Sequence, residues 1–215
     1  HREIYDCHLE ETRQAILEPS EMAPQHPHRF LELGEVIEIL KGIDVSEVIF
    51  MGAEPSIDPQ LPALAELLHK ELHTHNILLT NGLKLPPMDD IDEVVFSIKS
   101  YTDSLHRHYT GKSNKEPLVN FATLHKVGVK LRAESILIPE YIDCAEIENI
   151  ARFIAGVDRN IPYRIDAFLP VGNNPWRRPR PEEVEKAVGV AKRHLVNVSC
   201  LRGDEKLKYE VTRVF

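Results

Sequence analysis

The sequence predicts an α/β fold built on a parallel sheet. Short apolar runs of strand length alternate with amphipathic stretches of helical period. The runs recur roughly every 20–35 residues, which leaves room for one crossover helix between neighbours. Gly52, Asn81-Gly82 and Gly128 punctuate the segments as turn residues should.

Residues 30–41 (FLELGEVIEILK) place Phe30, Leu33, Val36, Ile37 and Leu40 at helical spacing. The run 46–51 (SEVIFM) is a strand ending at Gly52. A second helix covers 61–72, where Leu61, Leu64, Leu67, Leu68 and Leu72 recur every three or four residues. Strands follow at 76–79 (NILL) and 93–98 (EVVFSI). A helix over 118–126 is broken by Gly128, and 129–138 (VKLRAESILI) is a long strand. Residues 146–154 are helical and 164–169 (RIDAFL) a strand. A helix over 181–194 opens on Pro181, where a missing N–H costs little. The last strand is 195–200 (LVNVSC). With no internal repeat and no low-complexity linker, residues 1–215 read as one domain.

Composition narrows the function classes. The 215 residues are 42% hydrophobic and 28% charged, which excludes collagen-like, coiled-coil and largely disordered chains. No apolar run approaches the roughly 18–20 residues that span a bilayer. The first twenty residues are charged throughout, unlike a secretory signal. Against 26 Lys and Arg stand 34 Asp and Glu, a balance of −8 that argues against general nucleic-acid binding. The local basic stretch Arg177, Arg178 and Arg180 is interleaved with Pro and reads as a solvated loop. Trp176 beside it is either partly exposed or a cap on the barrel edge. Cys7, Cys144 and Cys200 are too scattered for a disulfide framework or a zinc motif, so a reducing, cytoplasmic compartment is expected. His69 and His73 share a helical face at i, i+4 but lack the H-E-x-x-H order. They read as solvated, as do His106, His108, His26 and His28.

Ligands of parallel α/β proteins bind beyond the carboxyl ends of the strands. Those ends carry Gly52-Ala53-Glu54-Pro55, Thr80-Asn81-Gly82, Ser97-Ile98-Lys99, Arg132 with Glu134, and Leu169-Pro170-Val171-Gly172. Small residues admit a ligand to the backbone. Glu54 can accept from an amine, while Lys99 and Arg132 can meet a carboxylate or phosphate. The set suits a zwitterionic ligand, an amino-acid moiety with both charges.

Taken in order, these segments resemble a family. Gly52-Ala53-Glu54-Pro55 after a strand is similar to the G-G-E-P motif of the radical S-adenosylmethionine (SAM) superfamily. Leu79-Thr80-Asn81-Gly82 resembles the T-N-G strand end of its activating-enzyme branch. Phe96-Ser97-Ile98-Lys99-Ser100, continued by 106–114 (HRHYTGKSN), resembles the D-x-K…H…T-G-x-S-N segment of pyruvate formate-lyase activating enzymes. Arg132 and Phe168-Leu169-Pro170 continue the match, which covers about residues 46–194.

The resemblance implies a partial (β/α)6 TIM-like barrel of parallel strands. It implies SAM as cofactor, with a [4Fe-4S] cluster held by C-x3-C-x2-C that chelates and reductively cleaves SAM. The resulting 5′-deoxyadenosyl radical takes a hydrogen from a protein, as in glycyl radical activation, or from a small molecule, and an external donor supplies the electron. Gly52, Ala53 and Glu54 would bind the methionine amino group. Thr80, Asn81, Ser97 and Lys99 would line the site beside it, and Arg132 would lie near the SAM carboxylate or ribose. Cys7 stands where the leading cluster cysteine is expected, after a strand-like stretch at 2–5, yet positions 11 and 14 are Glu11 and Gln14. Ser97 replaces the usual Asp, Gly172 the usual His, and Ala53 the second Gly. Three readings stay open: a cluster segment missing from the chain as given, a cluster-free barrel that binds SAM or a related small ligand without radical chemistry, and a generic α/β barrel.

Overall fold

The computed structural model describes residues 29–170, 174–205 and 214. Cys7, the stretch at 2–5, His26, His28 and Gly172 lie outside them. The elements are α1 (Leu33–Lys41), β1 (Glu47–Phe50), a 3-10 turn (Pro55–Ile57), α2 (Leu61–Leu72), β2 (His75–Thr80) and β3 (Glu93–Ser97). Then come α3 (Asp103–Thr110), α4 (Lys115–Lys126), β4 (Lys130–Leu137), α5 (Cys144–Asp158), β5 (Tyr163–Ala167), α6 (Pro181–Ala191) and β6 (Val198–Leu201).

All six strands pair in parallel, in the order β1-β2-β3-β4-β5-β6. Among the described residues β1 and β6 are the two edges, and this six-stranded parallel sheet agrees with the partial barrel that the resemblance implies. Each expected strand is present within a few residues of its predicted bounds. The polar helix α3 is an addition, and α4 starts at Lys115, three residues before the predicted 118.

Strand side chains alternate between two faces. One face is the core. Leu78, Val94, Phe96, Ala133 and Ile165 are buried in a cluster with Leu68 of α2, Phe121 of α4, Ile150 of α5 and Val184 of α6. The Phe96 and Phe121 rings meet edge to face at 5.2 Å. Burying that many large apolar side chains, each contributing roughly 1.5–3 kcal/mol, dominates the stability of the fold. The helices are also capped by their own sequence. Asp143 accepts from Ala145 N and Glu146 N at the start of α5, and Pro181 opens α6.

The opposite face is charged. The register sets Ser97, Glu134 and Arg164 side by side on β3, β4 and β5. A lower row pairs Glu93 with Lys130 of β4. The core packing fixes which side chains reach this open face. A one-residue slip of any strand would bury its charges instead.

Candidate functional site

The carboxyl end of β1 opens into Gly52-Ala53-Glu54, and all three precede the 3-10 turn. Gly52 sits at φ +142, and a side chain there would meet nothing within 4 Å, so the backbone at this point faces open space. Glu54 is half-buried and extended. Its Oε1 accepts from Ser56 N (3.2 Å), Ser56 Oγ (2.6 Å) and Thr80 Oγ1 (2.6 Å). Its Oε2 accepts from Asn81 N alone, at 2.8 Å. A carboxylate offers about four lone-pair directions, so the capacity left for a ligand amine lies on Oε2.

The turn after β2 is equally determined. Thr80 Oγ1 accepts from Gly82 N (3.1 Å), Asn81 Oδ1 from Leu83 N (2.9 Å), and Gly82 O from Asn120 Nδ2 (2.8 Å). Gly82 has φ +72, and a Cβ there would lie 1.9 Å from the Phe96 ring. Only glycine fits, for conformation and for space.

Ser97 closes β3, and its hydroxyl donates to Glu134 Oε1 at 2.5 Å. Arg164 donates to Glu134 Oε2 at 2.7 Å and to both oxygens of Asp166. Burial foremost pushes the Asp166 carboxyl up, partly opposed by Arg164. Lys99, half-buried beyond the end of β3, lies within electrostatic reach of Glu134, Glu54 and Asp166. Burial pulls its ammonium below the ordinary lysine range against those three carboxylates.

Glu54, Thr80 and Asn81 are thus in direct contact, with Ser97 and Lys99 joined to them through Glu134 and the field of Glu54. Arg132 is placed elsewhere. It is the third residue of β4, not its end, and its guanidinium is ion-paired with Glu93 at the start of β3. Glu93 also binds Lys130 at 2.5 Å, and these cations hold its carboxyl below the usual range although burial works against them. Sequence reasoning missed Ser56 and the roles of Glu134, Arg164 and Asp166. The signal was present: Arg164 and Asp166 stand two apart, as two charges on one face of an apolar strand.

Other expectations need correction. His69 is not solvated: Nδ1 meets Asp90 at 3.0 Å and Nε2 meets Asp92 at 2.8 Å. His106 is buried, with Nδ1 against Lys112 O at 2.7 Å. The basic stretch is a loop with Arg177 and Arg180 exposed, as expected, although Arg177 forks onto Glu183 and Arg178 reaches Gly203 O. Trp176 caps the edge, stacked on Tyr141 at 4.7 Å and 22°.

For SAM, the donor set fits at the methionine end, with one free acceptor direction on Glu54 and an open glycine backbone. For a [4Fe-4S] cluster the described residues offer no ligand set. Among the described residues no group of cysteine, histidine and acid side chains could hold a metal. Cys144 begins α5 and Cys200 lies in β6, and burial raises both thiols, the reverse of what a thiolate ligand needs.

Comparison with known proteins bears on the family and the fold. The sequence profile of the radical SAM superfamily matches residues 7–154. A Methanocaldococcus jannaschii protein provisionally named a glycyl-radical enzyme activating enzyme is 31% identical over 176 residues, 78% of this chain and 68% of that one. A domain of pyruvate-formate lyase-activating enzyme from Bacteroides vulgatus has TM-score 0.61 at 16% identity, covering 72% of this chain and 98% of that one. Streptococcus suis SuiB bound to its precursor peptide SuiA has TM-score 0.66 at 12% identity, covering 83% and 44%. These two structures share the fold. No helix among the described residues is long and apolar enough to cross a membrane.

Proposed function

Because the chain belongs to the radical SAM superfamily, we propose that it binds SAM at the strand-end rim and serves hydrogen abstraction from a protein substrate, as in glycyl radical activation. The observation that carries the reading is the joining of Glu54 to Thr80 and Asn81 beside the open backbone of Gly52. Glu54 Oε2 and the 52–53 backbone receive the methionine ammonium. Thr80 and Asn81 hold that carboxylate in place, so its free lone pair keeps one direction. Lys99 supplies positive charge for the carboxylate of the same ligand. The likeness to the M. jannaschii protein supports a protein partner; a small-molecule substrate is the outcome if no protein is modified.

A second reading is favoured by the cysteines: a cluster-free barrel that binds SAM without radical chemistry. Within these 215 residues the cysteines are Cys7, Cys144 and Cys200, and they form no triad by spacing.

Two measurements on one preparation separate the readings. Calorimetry with S-adenosylhomocysteine reports the site, and iron content with 5′-deoxyadenosine release under a reductant, after anaerobic reconstitution, reports the chemistry. Binding with iron and cleavage supports the first reading. Binding without either supports the second. No binding removes both.

A further inference from the structure

Glu134 is a charged group on an open sheet face, yet its side chain is only 13% exposed. Both of its oxygens are held, one by the Ser97 hydroxyl and one by Arg164. Two residues beyond Ser97 stands Lys99, which makes no ion pair within 4 Å among the described residues. Glu134 pairs with Ser97 in register and its backbone oxygen accepts from Ile98 N at 2.9 Å, which sets it beside the strand end that carries Lys99. Glu134, Glu54 on the β1–α2 connection and Asp166 on β5 all favour the charged form of Lys99. Arg164, between Glu134 and Asp166, is the cation that offsets part of their charge.

A buried lysine without a counter-charge sheds its proton and can no longer attract an anion. A carboxylate that touched the ammonium directly would occupy the N–H groups a ligand needs. A carboxylate nearby, clamped by its own donors, gives the charge without taking the hydrogen bonds.

We infer that Glu134, clamped by Ser97 and Arg164, is a positioning residue that keeps Lys99 protonated and its N–H groups available for the carboxylate of the bound amino-acid moiety. The inference deepens the SAM-site reading above and rests on it for the ligand. It also accounts for Ser at position 97: a carboxylate there would meet Glu134 head-on, so the negative charge belongs to the neighbouring strand.

The test uses the full chain with 13C-labelled lysine, the Lys99 resonance being identified by its loss in Lys99→Arg. Glu134→Gln keeps the shape and removes the charge. It should move the Lys99 titration down by about one unit or more. It should weaken S-adenosylhomocysteine binding about tenfold near pH 8, with a smaller loss near pH 6.5, where the amine is recharged. Ser97→Asp in the Glu134→Ser background returns the charge from the other strand and should restore both readouts, while Ser97→Asp alone should not bind. An unchanged Lys99 titration in Glu134→Gln overturns the inference, and so does a loss of affinity equal at both pH values, which marks a merely structural role. If the wild type binds no S-adenosylhomocysteine, the SAM-site reading fails, while the Lys99 titration still decides whether Glu134 controls its charge.

Discussion

The carboxylate of Glu54 and the hydroxyl of Thr80 are 2.6 Å apart across 26 residues of chain, and this contact ties the end of β1 to the end of β2. It fastens two strand ends that the sheet hydrogen bonds alone would leave free.

Glu54→Ala removes the acceptor for four donors, two of them backbone N–H groups. It should cost about 1–3 kcal/mol in urea unfolding and abolish S-adenosylhomocysteine binding in calorimetry. Thr80→Val should cost about 1 kcal/mol and weaken binding only partly. Equal binding by Glu54→Ala and wild type would remove Glu54 from the site.

Gly82→Ala puts a methyl into the Phe96 ring at a positive φ. A loss of about 2–4 kcal/mol is expected. Phe96→Leu in the same chain should recover part of it, because the clash is with ring atoms. No recovery would assign the whole loss to the backbone conformation.

Glu146 is buried and accepts from Tyr101 N, Thr102 N, Thr102 Oγ1 and Asn149 Nδ2. It binds the start of α3 to α5. Glu146→Ala leaves two backbone donors without an acceptor and should lower stability by about 3 kcal/mol. Hydrogen exchange should then speed up first in α3.

His69 stands between two carboxylates, which favour the charged ring with both nitrogens donating. The hydrogen bond to Asp92 foremost, with that to Asp90, raises its pKa above 6.5 against the effect of burial. The stabilisation is therefore full below about pH 6.5 and disappears as pH rises through the folded value. Urea midpoints measured from about pH 5.5 to 8.5 should fall for the wild type and stay flatter for His69→Gln. Parallel curves would show that His69 contributes no linkage.

Most of the sheet was readable because its strands are apolar runs, while the barrel arrangement came from the family resemblance, since a βαβ chain also admits doubly wound orders. α3 was not, since Asp103–Thr110 (DSLHRHYT) is polar and buries only His106 fully. Its start is fixed from α5 by Glu146, which lies 44 residues away from Thr102. α4 opens three residues before the expected 118, and Pro117 sits in its first turn, where proline is tolerated. The Glu54–Thr80–Asn81 contact was legible in outline because strand ends of a parallel sheet converge. Glu134 was named at a strand end but its contact with Ser97 was not legible, since the two are 37 residues apart and only the register of β3 on β4 brings them together. Arg132 lies two residues before Glu134 on the same strand. That offset of one pleat changes a rim cation into a partner of Glu93.

The strands lie in the sheet in the order in which the ribosome makes them. Each strand from β2 to β6 therefore finds one hydrogen-bonding neighbour already synthesised. The separations that must be closed are those of single crossovers, which keeps the entropic barrier to pairing low. The growing edge moves with translation, from β2 to β6, so vectorial assembly is built into the topology.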